Sequence, residues 1–142
     1  MFSTIVCAIG LGSRKKIEHL VQTSARLLAP GGTLHLVHAV DQFPSTAKSS
    51  PDAWATMVVA DAEARLAEIS RDLLITPVIC VRTGRVDQVV LAIAKEVKAD
   101  LIVMAAHKED VLDKLFGSVV DHIVHKADCS VYIERPSVAA GA

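Results

Sequence analysis

The residues best placed to do chemistry lie between Asp100 and Ser118, in the stretch Asp-Leu-Ile-Val-Met-Ala-Ala-His-Lys-Glu-Asp-Val-Leu-Asp-Lys-Leu-Phe-Gly-Ser. Leu101 to Ala105 is a continuous apolar run of strand length, which suits a strand covered on both faces in a parallel sheet. Leu112, Leu115, Phe116, Val119 and Ile123 then recur at helical spacing. Between the two, His107 to Asp110 forms a polar loop beyond the carboxyl end of the strand, the side on which open α/β sheets bind ligands. A second small-residue turn, Gly10-Leu11-Gly12-Ser13, follows the first apolar run. Its glycines permit close backbone approach, although a tight strand-to-helix turn explains them equally well.

Other reaction classes find little support. There is no nucleophile elbow, no phosphate-loop lysine motif, and no carboxylate pair that the pattern places in one crevice. Asp110 and Asp113 are explained by a loop and a solvated helix face, so no catalytic residue is assigned and rapid turnover is not expected. His122 and His125, with Cys129 beyond, invite a metal reading. Histidines three apart near a helix end are better explained as surface residues favoured by the helix dipole, and no metal ligand is assigned. His38, inside an apolar strand, reads as a packed core histidine.

The elements that must position the loops follow from periodicity. Thr4 to Ile9 is a β-rich run, and Ser13 stands at a plausible helix N-cap. Ile17, Leu20, Val21, Ser24, Leu27 and Leu28 form a helical face that Pro30-Gly31-Gly32 should stop. Thr33 to Val40 reads as a strand and Asp41 to Ser50 as an exposed loop. Pro51 and Asp52 suit the start of the longest helix, with Trp54, Met57, Val58, Ala62, Leu66 and Ile69 in phase. Pro77 to Arg82 is a third strand; Thr83-Gly84-Arg85 turns it into a helix carrying Val86, Val90, Ile93 and Val97. The strand at Leu101 and a helix to about Lys126 come next, and Ser130 to Glu134 is a fifth strand. Residues 1–136 thus read as one domain and 137–142 as a flexible tail.

This β-α pattern, repeated four times and closed by a strand, calls for a mostly parallel five-stranded sheet with helices on both faces. If the first three strands wind outward and the chain then returns past the first, the order is 3-2-1-4-5. The loops after strands one and four would then face one crevice at the switch point.

Composition bounds the class. A chain of 142 residues can bury about two thirds of the surface its unfolded form exposes. Charged residues interrupt every apolar run before a membrane span is reached. The amino terminus has no basic start or cleavage site, so a cytoplasmic protein is expected. Net charge is −1 with a pI near 6.6, and no basic cluster exceeds Arg14-Lys15-Lys16, which argues against nucleic acid as a partner. Cys7, Cys80 and Cys129, odd in number and far apart, fit free thiols in a reducing compartment.

Over about residues 3 to 135 the chain resembles the universal stress protein family. The resemblance is carried by Leu34-His35-Leu36-Val37-His38-Ala39-Val40-Asp41, Val81-Arg82-Thr83-Gly84, Asp100 to Met104, Gly117-Ser118, and His125 to Val131. It implies a Rossmann-type, adenine-nucleotide α-hydrolase-like fold and a site for ATP or AMP, with magnesium only alongside ATP. The family's nucleotide motif is Gly, two residues, Gly, nine residues, then Gly-Ser. Here Ala105 and Lys108 replace the first two glycines, eight residues separate Lys108 from Gly117, and Gly10 stands where many members carry Asp. By resemblance, Ile9 and Gly10 border the site, Ala39 holds the adenine, Gly84 flanks the ribose, and Ala105, His107, Lys108, Gly117, Ser118 and Val119 hold phosphates. Lys108 and His107 would supply charge in place of lost glycine contacts. By helical pattern Gly117 lies within the fourth helix, at a cost of roughly 1 kcal/mol against Ala, so a ligand or neighbouring helix should approach there.

Two functions compete: an adenine-nucleotide-binding regulatory module of the stress response, and a nucleotide-free dimeric interaction protein whose crevice is vestigial. Both accommodate a homodimer. In the order 3-2-1-4-5, Val131, Tyr132 and Ile133 form an edge strand, and the resemblance implies pairing through it.

Overall fold

The computed structural model describes residues 1–40, 50–106 and 117–135. Among the described residues nine elements follow in order: β1 (Phe2–Ala8), α1 (Arg14–Leu27), β2 (Leu28–Val40), α2 (Pro51–Ser70), β3 (Val78–Thr83), α3 (Val86–Glu96), β4 (Leu101–Ala105), α4 (Gly117–Lys126) and β5 (Ser130–Glu134). The five strands make one parallel sheet in the order β3-β2-β1-β4-β5, a Rossmann-like arrangement with its switch point between β1 and β4.

Alternation along the strands explains why their apolar runs are continuous. Ile5 and Cys7 of β1, Leu34 and Leu36 of β2, and Leu101 and Val103 of β4 face α1 and α2, packing on Ile17, Leu20, Val21 and Leu66. Their neighbours Val6, Val37, Ile102 and Met104 face the other way, onto Val89, Val90 and Ile93 of α3 and Val120 and Ile123 of α4. Burying a side chain of this size contributes about 1.5–3 kcal/mol, so every strand residue in these runs is needed on one face or the other. The three thiols are free: Cys7 is buried in β1, while Cys80 and Cys129 are half-buried.

Three expectations are corrected. Pro30-Gly31-Gly32 does not sit outside the sheet, because β2 begins at Leu28, where α1 ends. Phe2 pairs with Leu28 but Thr4 with Thr33, so β2 bulges between them. Gly31 takes a φ of +78°, and a Cβ on Gly32 would lie 2.7 Å from the Ser3 carbonyl oxygen, so this excursion requires small residues. In α2 only the second half is buried, through Ala62, Leu66 and Ser70, and Met57 is exposed. The cap of α2 is the one the Ser-Pro-Asp start promised: Ser50 Oγ accepts from the Ala53 amide at 3.2 Å. Ser13, by contrast, occupies the N-cap of α1 without a side-chain cap bond. Of α3's expected face, Val90 and Ile93 are buried, Val86 is exposed, and Asp87 is buried instead. The expected tail and the loop Asp41 to Ser49 lie outside the described residues.

Candidate functional site

The carboxyl edge of the sheet is built from the ends of β1, β2, β3 and β4. Ile9, just past β1, is buried and donates its amide to the Val37 carbonyl at 2.8 Å, the last bond of the β1–β2 ladder. The chain then turns away, Gly12 donating to the Gly10 carbonyl at 2.9 Å. Strand β2 continues past this point. Successive residues of a parallel strand address opposite neighbours, so Ala39 aims its N–H and C=O toward β1, as Val37 does, at a level where β1 has already ended. Gly10 is exposed, and among the described residues a Cβ on Gly10 or Gly12 would meet nothing within 4 Å. The edge therefore has an open notch floored by β2's backbone.

His38 fixes one wall of the notch. It is half-buried rather than packed in the core, and its Nδ1–H donates to the Ile9 carbonyl at 2.7 Å, locking the exit of β1 against β2. On the other side Gly84, at φ +142°, donates to the Val40 carbonyl at 2.9 Å and turns the chain into α3. Only glycine takes that conformation readily.

Of the residues expected at the site, the structure brings Ile9, Gly10, Ala39 and Gly84 to this edge, and Ala105 ends β4 there, exposed and paired with Glu134. Gly117 is the first described residue of α4, and the segment before it, with the remainder of the expected helix, lies outside the described residues. Ser118 is exposed and Val119 half-buried. His107 and Lys108 lie outside the described residues. A 220 Å³ depression lined by Ser70, Arg71, Leu73, Ile75, Pro77 and Ile79 belongs to the opposite, amino-terminal edge of β3.

The sequence reading missed a polar cluster beside this edge. Asp87, in the first turn of α3, is only 1% exposed. Its Oδ2 accepts from His122 Nδ1–H of α4 and from the Arg85 guanidinium at 3.2 Å. Burial disfavours its charge, but the hydrogen bonds of His122 and the Gln88 amide, with the charge of Arg85, outweigh it and hold the carboxyl below its usual range. His122 is thus tied between helices and is not simply a surface histidine drawn by the dipole. His125 does stay on its own helix, bonded to the Asp121 carbonyl at 2.8 Å. The signal available in sequence was slight: an acid two residues after a strand-ending Arg85 is ordinary for a helix start. Among the described residues no group of three or more His, Cys, Asp or Glu is arranged to hold a metal, and no helix is long and apolar enough to cross a membrane.

Comparison with known proteins agrees with this geometry. The model of the universal stress protein family matches residues 1–135. A universal stress protein from Archaeoglobus fulgidus superposes with a TM-score of 0.68 at 20% identity, over 94% of this chain and 93% of that one. The structure of the universal stress protein from Archaeoglobus fulgidus in complex with dAMP gives 0.60 at 21% identity, over 92% and 95%. A universal stress protein family protein from Arabidopsis thaliana with AMP bound gives 0.65 at 14% identity, over 96% and 94%. At these identities the solved structures attest the fold, and the family match goes further: the chain belongs to the universal stress protein family.

Proposed function

We propose that this protein binds an adenine nucleotide, ATP or AMP, at the carboxyl edge of its sheet and acts as a regulatory module of the stress response, without rapid catalysis. The observation that carries the reading is the pair of backbone groups on Ala39. One donor and one acceptor from a single residue, left facing an open notch where β1 ends, match the acceptor-and-donor edge of adenine. Gly84, with no side chain, leaves room for the ribose. By the family resemblance Gly117, Ser118 and Val119, on the first described turn of α4, would lie against the phosphates, with the glycine allowing close approach. Crystallised relatives holding AMP and dAMP support the choice of ligand class. His107 and Lys108 would add charge, and magnesium would enter only with ATP.

A second reading, a nucleotide-free dimeric interaction protein, is favoured by two substitutions: Gly10 where many relatives carry Asp, and Ala105 where the phosphate motif carries glycine. The two readings separate by experiment. The freshly purified protein is heat-denatured and the supernatant is chromatographed for released nucleotide; calorimetric titration with ATP, AMP and adenosine follows. Released nucleotide, or binding of any of the three, upholds the first reading. Empty protein that binds none upholds the second.

Either way, a cytoplasmic homodimer through β5 is part of the proposal. Val131, Tyr132 and Ile133 lie on an edge strand, and Tyr132 is 38% exposed. Self-pairing would cover the free N–H and C=O groups of that edge. Sedimentation at tens of micromolar should show a dimer, and a folded Tyr132→Pro variant, lacking a backbone donor, should be monomeric. A monomeric wild type would refute the interface.

A further inference from the structure

The Asp87 cluster has a shape that packing alone does not call for. A carboxylate 1% exposed at a helix–helix contact is costly unless paired, and here both partners, the Arg85 guanidinium and the His122 ring, reach solvent: the side chain of Arg85 is 66% exposed and that of His122 is 40% exposed. Both bind the same oxygen, Oδ2, while Oδ1 has no hydrogen-bond partner among the described residues. Asp87 therefore acts as a bracket, holding a guanidinium and an imidazole side by side, both facing outward, from one buried point.

The position of that bracket is set by the topology. Asp87 belongs to the first turn of α3, which starts directly after β3 at Gly84, so it stands at the level of the carboxyl edge. It meets His122, so α4 brings that ring to the same level. Both helices pack on Val6 and Ile102, which belong to β1 and β4, the two strands flanking the switch point. Side chains of a helix lean toward its amino end, and Ser118 lies four residues before His122 on the same face of α4. With its Nδ1 committed to Asp87, His122 has Nε2 as its remaining polar atom. The amino-terminal end of α3 adds a positive dipole end.

We propose that Arg85 and His122, presented together by Asp87, form a phosphoryl-binding clamp on the α3–α4 side of the notch, taking the phosphate tail of a nucleotide or an inorganic polyphosphate. The proposal rests on the nucleotide reading above and adds to it two contact residues and one positioning residue. With its ring protonated, His122 donates from Nε2–H, and the free guanidinium N–H groups of Arg85 donate beside it, to phosphate oxygens. The charged groups brought to His122 among the described residues are Asp87 and Arg85 from α3; its own helix carries Asp121, His125 and Lys126.

The test is calorimetric titration of the full chain with ATP, adenosine and pyrophosphate, using wild type, Arg85→Gln, His122→Gln and Asp87→Asn. Each cation variant should bind ATP and pyrophosphate roughly tenfold more weakly, the worth of one charge-assisted hydrogen bond, and adenosine unchanged. Asp87→Asn, if it folds, should weaken ATP and pyrophosphate while leaving adenosine unchanged, since both contact residues lose their anchor; the two surface variants carry the test if it does not. Pyrophosphate binding that is sensitive to both variants, with no adenosine binding, would uphold the clamp while refuting the adenine site. Equal ATP affinity in all folded variants, a parallel loss of adenosine and ATP, or no binding of any phosphate compound would overturn the clamp.

Discussion

Replacing Gly84 with Ala tests whether the loop between β3 and α3 has the geometry described. The residue sits at φ +142°, a region closed to side chains, and strain of this kind costs on the order of 1–3 kcal/mol. The new Cβ would also approach Val89 Cγ2 at 3.2 Å, closer than ordinary contact. Rotating away is blocked, because the Gly84 amide holds the Val40 carbonyl at 2.9 Å and the next residue caps α3. A loss of about 2 kcal/mol follows, and with a urea dependence of about 1–3 kcal/mol per molar the unfolding midpoint should drop by about 1 M. The companion variant Gly10→Ala sets the scale. It has neither a left-handed φ nor a neighbour within 4 Å among the described residues, so its midpoint should stay within about 0.3 M of wild type. Urea unfolding followed by far-ultraviolet dichroism reads both. Equal midpoints for Gly84→Ala and wild type would refute the strained turn, and a large loss in Gly10→Ala would refute the open notch.

Further outcomes follow from the same contacts. Gly10→Val should leave stability nearly intact yet lower adenosine affinity at least tenfold in titration, since its side chain enters the notch; unchanged affinity would place the ligand elsewhere. Asp100 accepts from the Ser3 and Thr4 amides at 2.9 Å each, and these two bonds hold its carboxyl below the usual range. With the folded value depressed, its contribution is present above the unfolded value of about 4 and is lost as pH falls toward the folded one. Because the group is exposed, about 1 kcal/mol or less is at stake, and Asp100→Asn should flatten the acid limb of stability measured by urea titration below about pH 4.5. Burial pushes the Cys7 thiol up to about 12, so iodoacetamide near neutral pH should label it only after denaturation, as read by peptide mass spectrometry. Labelling of Cys7 in the native protein would contradict its place in the core.

The sequence by itself determined the fold class and most of the edge. The apolar runs at Ile5 to Ile9 and Leu101 to Met104 have no polar alternate, which demands cover on both faces, and with helices between strands that demand admits little besides a parallel sheet. The turns at Gly10 and Gly84 were legible as well, because strand ends and glycine turns are local features, whereas Ala39 was singled out only by the family resemblance. Contacts between elements distant in sequence were not legible. The bulge at Pro30 to Gly32 exists because β2 must start beside Phe2, a matter of register with another strand, whereas the local residues spell a helix stop. Asp87 and His122 lie 35 residues apart and each has an ordinary local explanation. Only the packing of α3 on α4 buries one and turns the other toward it, since a buried carboxylate draws whatever hydrogen-bond donor the neighbouring helix offers. His38 followed the same rule: its apolar strand implied a core residue, and the end of β1 one strand away gave it a carbonyl to hold.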